Sequence, residues 1–343
     1  MAQAGDWLAL QCAGALRAAE VTGFLRAGLT PGAALAQLPR VRQPGAARLR
    51  DAQRRLEGAG GRLLPFGAPG YPARLAELAD APPVIALRGE AGALGRDTVA
   101  IVGSRAATRE GRAFAARLSG ELAEAGIAVV SGLAFGIDAA AHRGALEAEG
   151  VSVGVQACGL DLVYPAAHRE LADRLAGRGA VLTEFPPGAT PRKAFFPLRN
   201  RLISGLARAV VVVEARERSG SLTTARHALD QGVEVFAAPG PAAAASHRGS
   251  NGLLRDGAHV LLEARDLLDE LAWPRTARSC PVVPPLTATA RELLDALRGG
   301  PLSGDALAHR SGRTPGSLAA ALLELELAGT ALRDRDGRWR ALL

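Results

Sequence analysis

Residues 98–138 read TVAIVGSRAATREGRAFAARLSGELAEAGIAVVSGLAFGID, and the fold of the chain follows from this stretch. It opens with the apolar, β-branched run Thr98–Val102, which is typical of a buried strand. Apolar residues then recur at helical spacing, at Phe114, Leu118 and Leu122, before a second apolar run. Strand, helix and strand in this order predict a βαβ unit, whose two strands lie parallel in one sheet.

The same alternation of apolar runs and helical patterns continues toward the C-terminus. Strands are predicted near residues 98–102, 127–130, 151–156, 180–183, 209–213, 233–237 and 258–262. Helices are predicted near residues 108–124, 138–148, 168–176, 221–230, 249–256 and 265–271. This alternation predicts an α/β fold with an extended Rossmann-like, doubly wound and mostly parallel sheet.

Segments of different composition precede this core. Residues 1–62 are rich in Ala, Leu and Arg and are broken by prolines, which predicts a small helical domain. The Gly and Pro content of residues 60–73 predicts a linker. Pro82–Gly89 predicts an edge strand entered through prolines, where missing N–H donors are tolerated. The Rossmann-like core is therefore expected over residues 70–274.

Beyond Trp273 the pattern changes again. Prolines and a lack of periodicity predict a linker over residues 275–286. Residues 287–343 predict three helices and a hairpin turned at Asp336-Gly337, which is the pattern of a winged-helix domain. The third helix is rich in Leu and poor in basic residues, which weakens recognition of a DNA major groove. DNA binding and a protein contact therefore remain equally open as the role of this domain.

Charge and cysteine content narrow the function classes. The net charge of +7 favours a polyanionic partner, although scattered solvated arginines explain it equally well. Cys12, Cys158 and Cys280 are isolated, so neither a disulfide framework nor a zinc site is expected. The N-terminus lacks a signal-peptide pattern, and no apolar run approaches the length of a spanning helix. We therefore expect a soluble cytoplasmic protein with no membrane contact and no metal.

Three turns rich in Gly and hydroxyl side chains follow predicted strands. They are Gly103-Ser104-Arg105, Ser131–Asp138 with Gly132, and Ser219-Gly220-Ser221-Leu222-Thr223-Thr224. The carboxyl ends of parallel strands share one edge of a sheet, where helix N-termini attract anions. The first turn is not G-x-G-x-x-G, and no acidic residue ends the next strand to hold a ribose. We therefore expect a phosphate site and no dinucleotide cofactor.

A basic and aromatic segment, EFPPGATPRKAFFPLRNRLISG, spans residues 184–205. Its prolines predict a loop over the same sheet edge, with the next helix starting at Asn200. The bases of an unpaired strand stack on aromatic rings while cations follow the phosphates. One phenylalanine is expected to fill the core and Phe196 to stack on a base. The cations around this pair are Arg192, Lys193, Arg199 and Arg201.

Ionisable side chains near these turns leave a second class of function open. Asp138 opens a predicted helix and is expected to be its N-cap, and His142 is expected to be a partly buried, hydrogen-bonded histidine. A nucleotide-processing enzyme of the phosphoribohydrolase type, with Glu214 or Asp138 as its acid/base, stays open as an alternative. A regulator that binds duplex DNA through residues 287–343 is the third hypothesis.

Together these motifs resemble those of the DNA-processing protein A family, over residues 71–273. The motifs that carry the resemblance include Val102-Gly103-Ser104-Arg105, Ser131–Asp138, Cys158-Gly159-Leu160-Asp161 with Tyr164-Pro165, Glu184-Phe185-Pro186-Pro187, Phe196–Leu206 and Ser219–Ala225. The resemblance implies a core that binds single-stranded DNA without a cofactor or catalysis. It also implies a homodimer that loads the RecA recombinase onto DNA taken up in natural transformation. The N-terminal helices are similar to the family's sterile-alpha-motif-like or helix-hairpin-helix extension, and residues 287–343 to its winged-helix module.

The matching positions imply which residues bind DNA. Arg105 is expected to grip a phosphate, Lys193 is the basic residue three positions before the aromatic one, and Phe196 is the base-stacking ring. The complete set that the resemblance implies is Gly103, Ser104, Arg105, Gly132, Lys193, Phe196, Arg199, Asn200, Arg201, Ser219, Gly220, Ser221, Thr223 and Thr224.

Overall fold

The computed structural model describes residues 2–14, 17–40, 43–273, 286–298, 300–327, 330–334 and 337–341. The chain divides into two units, Met1–Arg275 and Thr276–Leu343. In neither unit is any helix of the described residues long and apolar enough to cross a membrane.

The described residues of the first unit contain one sheet of nine strands. In chain order the strands are β1 (Arg62–Pro65), β2 (Val84–Gly89), β3 (Thr98–Val102), β4 (Ala128–Ser131), β5 (Ser152–Val155), β6 (Ala180–Thr183), β7 (Ala209–Val212), β8 (Glu234–Ala237) and β9 (His259–Val260). Their order across the sheet is β1-β2-β6-β5-β4-β3-β7-β8-β9. The strands from β6 to β9 in this order are parallel to one another, whereas β2 is antiparallel to β6 and β1 is antiparallel to β2.

The winding of the chain reverses beside β3. From β3 it proceeds outward through β4, β5 and β6, and it then returns to β7 on the other side of β3. This arrangement confirms the doubly wound α/β prediction. Its topological switch point lies at the carboxyl ends of β3, β4 and β7, which is where ligands bind in open α/β sheets.

Helices cover both faces of the sheet because successive side chains of a strand point to opposite sides. Val99 and Ile101 of β3 pack under the helices of one face, and Ala100 and Val102 under those of the other. The helices of this unit are α1 (Ala2–Gly14), α2 (Ala18–Arg26), α3 (Pro31–Gln37), α4 (Ala46–Gly58), α5 (Ala73–Glu77), α6 (Arg109–Glu124), α7 (Ile137–Glu147), α8 (Arg169–Arg178), α9 (Phe195–Leu206), α10 (Ser221–Asp230), α11 (Arg248–Arg255) and α12 (Ala264–Glu270).

The segment before β3 differs from the expectation. Residues 60–73 were predicted to be a linker, but they contain β1, which pairs with β2 and buries Leu64. The prediction of an edge strand at Pro82–Gly89 is also wrong, because β2 lies between β1 and β6. Pro82 and Pro83 precede the paired residues, so neither proline removes a donor from the ladder.

The N-terminal helices α1 to α4 pack on one another and on the sheet. Leu10, Val21 and Ala34 form an apolar cluster that includes Val84 of β2. Thr30 caps α3 by accepting a hydrogen bond from the Ala33 N–H at 3.3 Å. Division of this unit into a helical domain at residues 1–62 and a core at 70–274 stays a proposal.

Helix α7 buries His142 completely, beyond the partial burial that the sequence predicts. The Ser152 hydroxyl donates to the Val129 carbonyl at 3.0 Å, so it accepts from Nδ1 of His142 at 2.7 Å. Nε2 of His142 has no partner among the described residues. Burial, with His168, Arg199 and Arg143 nearby, lowers the pKa of His142 to about 3.

This pKa predicts a loss of stability in acid. The unfolded chain protonates His142 near pH 6.5, whereas the folded chain does not. The stability that depends on a neutral His142 is therefore fully present above pH 6.5 and is lost as the pH falls toward 3. By pH 4 the loss amounts to roughly 3 kcal/mol. Urea unfolding of the wild type and of His142→Leu, at pH values between 7 and 4, measures this fall in the free energy of unfolding. The variant should lose less stability over this range, and equal losses in both proteins would contradict the assignment.

The second unit has the winged-helix order of elements that the sequence predicts. It contains α13 (Ala288–Arg298), β10 (Leu302–Ser303), α14 (Gly304–Ser311), α15 (Pro315–Leu327), β11 (Ala331–Arg333) and β12 (Arg338–Ala341). Ser303 caps α14 by accepting from the Ala306 N–H at 3.2 Å. The predicted linker at 275–286, apart from Leu286, and Asp336 of the predicted hairpin turn lie outside the described residues.

Candidate functional site

A cleft of about 410 Å³ lies at the switch point of the sheet. The turn after β3, the N-terminal half of α9 and the turn before α10 form its walls. Among the described residues, those that line it include four arginines and one carboxylate, Asp138. Eleven of the residues predicted to bind DNA line it, namely Gly103, Ser104, Arg105, Phe196, Arg199, Asn200, Ser219, Gly220, Ser221, Thr223 and Thr224.

Main-chain hydrogen bonds hold the turns of the cleft together. The Ser104 N–H donates to the Glu214 carbonyl at 2.7 Å, and the Ile137 N–H donates to the Ser104 carbonyl at 3.2 Å. Gly136 has a φ of 78°, and a Cβ there would lie 2.1 Å from the Ser104 oxygen. Only glycine therefore permits this approach of the second turn to the first, which leaves the side chain of Arg105 exposed to solvent.

Arg199 is a buried part of the cleft wall. Its Nη1 donates to the carbonyls of Gly132 at 2.6 Å and Val155 at 2.5 Å, which ties α9 to the ends of β4 and β5. A Cβ on Gly132 would lie 2.7 Å from Asp138 and 2.8 Å from Arg199, so glycine leaves room for both charges. Burial lowers the pKa of Arg199 to about 10 and raises the pKa of Asp138, and each charge opposes the shift of the other.

The two phenylalanines of the basic segment point to different surroundings. Phe195 stacks on the buried Phe185, with ring centroids 4.2 Å apart. Phe196 lines the cleft, and the Arg105 guanidinium carbon lies 4.7 Å from its ring centroid. Tyr164, which is 47% exposed, lies 5.8 Å from the same ring. One partly exposed aromatic face is thus held beside an exposed cation.

The third turn presents hydroxyls and a helix N-terminus to the cleft. Gly220 is the N-cap of α10, and the first three N–H groups of this helix donate to Ser219 and Gly220. The hydroxyls of these two serines lie 2.7 Å apart, and Asn200 donates to the Gly220 carbonyl at 3.3 Å. The positive end of a helix and a pair of hydroxyls can bind one phosphate.

Sequence reasoning missed two arginines of this cleft. Arg216 and Arg218 line it, are exposed, and make no ion pair with any described residue. The signal was present in the sequence EARERSG at residues 214–220, where two arginines stand just before the hydroxyl-rich turn.

Arg201 does not line the cleft, although it was predicted to bind DNA. Its guanidinium forms a buried ion pair with Glu184 and a second one with Asp80 at 3.2 Å. Burial raises the pKa of Glu184 to about 7, against the attraction of Arg201. Arg201 and Arg199 lie two positions apart on α9 and therefore project toward different sides of the helix.

The start of α9 also corrects the expectation of a loop up to Asn200. The helix begins at Phe195, and Pro197 is accepted in its first turn because N–H groups there have no partner within the helix. Lys193 lies exposed just before this helix and does not line the cleft. Gly132 lies behind the wall rather than on it.

Two predicted roles of acidic residues are also corrected. Asp138 is not the N-cap of α7, because Gly136 occupies that position and Asp138 is the second residue of the helix. The Glu214 carboxylate is fully buried and accepts from the N–H of Thr108 at 3.0 Å and from its hydroxyl at 2.7 Å. Glu214 therefore anchors the N-terminus of α6 and is not directed into the cleft as an acid/base.

Comparison with known proteins gives two matching family models. Residues 62–272 match the model for DNA recombination-mediator protein A, and residues 277–337 match the model for the DprA winged helix domain.

Relatives in several bacteria are similar to most of the chain. It is 45% identical over 252 residues to the DNA processing protein DprA of Mycobacterium tuberculosis, a match that covers 71% of this chain and 64% of that protein. The chain thus spans slightly less than two thirds of that relative's length. It is 38% identical over 283 residues to the protein Smf of Escherichia coli, which covers 80% of this chain and 76% of Smf.

Solved structures of two such proteins have a similar fold. DNA processing protein A from Streptococcus pneumoniae matches with a TM-score of 0.67 and 32% identity, over 77% of this chain and 95% of that one. DNA processing protein A from Helicobacter pylori, studied for its mode of binding single-stranded DNA, matches with a TM-score of 0.56 and 29% identity. That match covers 62% of this chain and 95% of the other.

Proposed function

This chain belongs to the DNA recombination-mediator protein A family, and from that premise we propose that its cleft binds single-stranded DNA without sequence preference. One observation carries the proposal: the Arg105 guanidinium lies 4.7 Å from the centroid of the partly exposed Phe196 ring, at the sheet's switch point. An unpaired strand offers a base and a phosphate together, which is what this pair of side chains can hold.

Each part of the cleft has a role in this binding. Arg105, Arg216 and Arg218 pair with phosphates, and the N-terminus of α10 with Ser219 and Ser221 holds another. One base stacks on Phe196. Four further predicted residues support these groups: Gly132, Arg199 and Asn200 shape the wall, and Lys193 draws the strand toward the cleft by its charge.

The salt dependence of binding tests this function. Anisotropy titrations of the full chain with an oligothymidylate, at several salt concentrations, should give a linear log–log plot with a slope of about −0.7 for each phosphate contacted. The same titration with a duplex of equal length should give weaker binding. A single-strand affinity that does not change with salt, or duplex binding as tight as single-strand binding, would refute the proposal.

Replacing Phe196 by alanine should weaken binding by about ten- to a hundredfold and leave the salt slope unchanged, since stacking contributes roughly 1–3 kcal/mol per base and involves no counterion. Phe196→Tyr, which keeps the aromatic face, is the matched control and should bind nearly as the wild type does. A change in the slope with unchanged affinity at low salt would contradict a stacking role.

We further propose that the bound strand is handed to the RecA recombinase, which the family's role in recombination supports. In a strand-exchange assay with DNA covered by single-strand binding protein, the chain should shorten the lag before RecA acts. No change in the lag at any protein concentration would exclude loading. This partner would place the activity in the cytoplasm, during natural transformation.

The second copy in a homodimer is proposed to bind at the β9 edge of the sheet. Val260 and Leu262 are 54% and 60% exposed there, and an unpaired edge strand with apolar side chains is a template for pairing. Light scattering of the wild type should give twice the chain mass. Leu262→Arg should shift it toward the monomer, and an unchanged dimer would place the interface elsewhere.

No catalytic activity is proposed for the cleft, since the carboxylate of Glu214 is engaged at α6 and that of Asp138 is buried beside Arg199. Incubation with a panel of nucleoside monophosphates should release no free base. Release of a base would favour the alternative of a phosphoribohydrolase with Asp138 as its acid/base.

A further inference from the structure

A second cavity, of about 540 Å³, lies between the N-terminal helices and the segment that carries the two phenylalanines. Its walls are α1 at Cys12 and α4 from Arg48 to Arg55 on one side, and residues 185–195 on the other. Phe195 lines it, and the guanidinium carbon of Arg192 lies 5.7 Å from the centroid of that ring. The second cavity therefore repeats the pairing of an aromatic ring with an arginine that marks the cleft.

The wall between α4 and the core is held by a chain of polar contacts. Arg55 donates to Asp51 at 2.7 Å and to Asp161 at 3.3 Å. Asp161 also accepts the Gly188 N–H at 2.8 Å. These contacts fix α4 to the loop at residues 186–189 and hold the two walls of the second cavity together.

The charges that remain free in the second cavity are positive. Arg48 and Arg192 are exposed, and within residues 17–273 as described neither forms an ion pair. Asp51, the carboxylate that lines this cavity, is engaged by Arg54 and Arg55. Two guanidinium groups are thus available to anions at its mouth.

The second cavity and the cleft adjoin. Phe195 lines the former and Phe196 the latter, and consecutive Cα atoms are about 3.8 Å apart. Lys193 is exposed on the same segment, between Arg192 and Phe196. A strand that leaves the Phe196 ring along this segment passes Lys193 and Arg192 before it reaches Arg48 on α4.

We propose that the second cavity is a further subsite for single-stranded DNA, in which Arg48 of the N-terminal helices and Arg192 bind phosphates of the strand beyond the part that the cleft holds. This inference rests on the function proposed for the cleft. It assigns the N-terminal helices a direct part in binding, because Arg48 on α4 then contacts the strand. Only strands long enough to extend beyond the cleft reach this subsite.

The test compares Arg48→Ala with Arg50→Ala, a matched loss of one exposed arginine from the same helix at a position that does not line the second cavity. Each full-length variant is titrated with oligothymidylates of about 4 and about 16 nucleotides at several salt concentrations. Arg48→Ala should weaken binding of the long strand by about tenfold. It should lower the salt slope on that strand by about 0.7 and leave the short strand unaffected. Arg50→Ala should match the wild type on both.

Equal binding of the long strand by Arg48→Ala and Arg50→Ala overturns the subsite. An equal effect of Arg48→Ala on both strand lengths overturns it as well, since Arg48 would then act on the cleft. Arg105→Ala, measured in the same series, separates this inference from the proposed function. Weakening of both strands by Arg105→Ala leaves the cleft assignment intact, whichever result Arg48→Ala gives.

Discussion

Replacing Arg105 and Phe196 together by alanine is expected to weaken the binding of single-stranded DNA by roughly a thousandfold. Loss of a charge-assisted phosphate contact costs about 1.5–3 kcal/mol, and loss of a stacked base about 1–3 kcal/mol. Because the Arg105 guanidinium lies over the Phe196 ring, the losses of binding free energy in the two single variants should not sum to the loss in the double variant. Anisotropy titration of the four proteins of this cycle at one salt concentration measures the coupling.

The matched control for this cycle is Arg96→Ala. Arg96 is exposed and stands just before β3, at the opposite end of the strand from Arg105. The Arg96→Ala variant should bind single-stranded DNA with nearly the affinity of the wild type, since it loses one unit of net charge and no contact in the cleft. If Arg96→Ala and Arg105→Ala weakened DNA binding equally, the affinity would depend on the net charge of the whole surface and not on the cleft.

Replacing Arg201 by alanine should act on stability and not on DNA binding. The substitution leaves the fully buried Glu184 without its cation, and breaking a buried pair in this way costs about 3–5 kcal/mol. Urea unfolding followed by circular dichroism measures the loss. The strand affinity of the fraction that remains folded should equal that of the wild type.

A double substitution controls for the burial of the pair. Arg201→Met with Glu184→Leu removes both charges and fills the same space, so it should recover most of the stability that Arg201→Ala loses. If Arg201→Ala were instead stable and bound the strand more weakly, Arg201 would be a DNA-binding residue, as the sequence predicts.

The family and the parallel part of the sheet could be predicted because their signals are local. Strands such as Thr98–Val102 are continuous apolar runs, and the helix that follows repeats its apolar residues every three or four positions. The strand Arg62–Pro65 could not be found in this way. It is four residues long, ends in a proline and lies in a segment rich in glycine, so its pairing with Val84–Gly89 is its main distinguishing feature.

The individual arginines of the site were harder to predict than the site itself. Arg199 and Arg201 look alike in the sequence RNR, yet one forms the cleft wall and the other pairs with Glu184. Which carboxylate each arginine meets depends on residues far away in the chain, and no local spacing encodes it. Arg216 was missed for a different reason. The hydroxyl side chains of the turn after β7 gave the prediction of a phosphate site, and the arginines just before them were not considered.

Photochemical crosslinking of the full chain to an oligonucleotide with 5-iodouracil at single positions tests whether a DNA base stacks on Phe196 in the cleft. Light forms a covalent bond between the modified base and the aromatic ring stacked on it, and peptide sequencing identifies the residue. The crosslink should lie at Phe196, with Tyr164 as the neighbouring ring, and Phe196→Leu should abolish the main product. Crosslinks confined to residues 288–341 would contradict binding in the cleft, because the strand would then bind the winged-helix domain and not the edge of the parallel sheet.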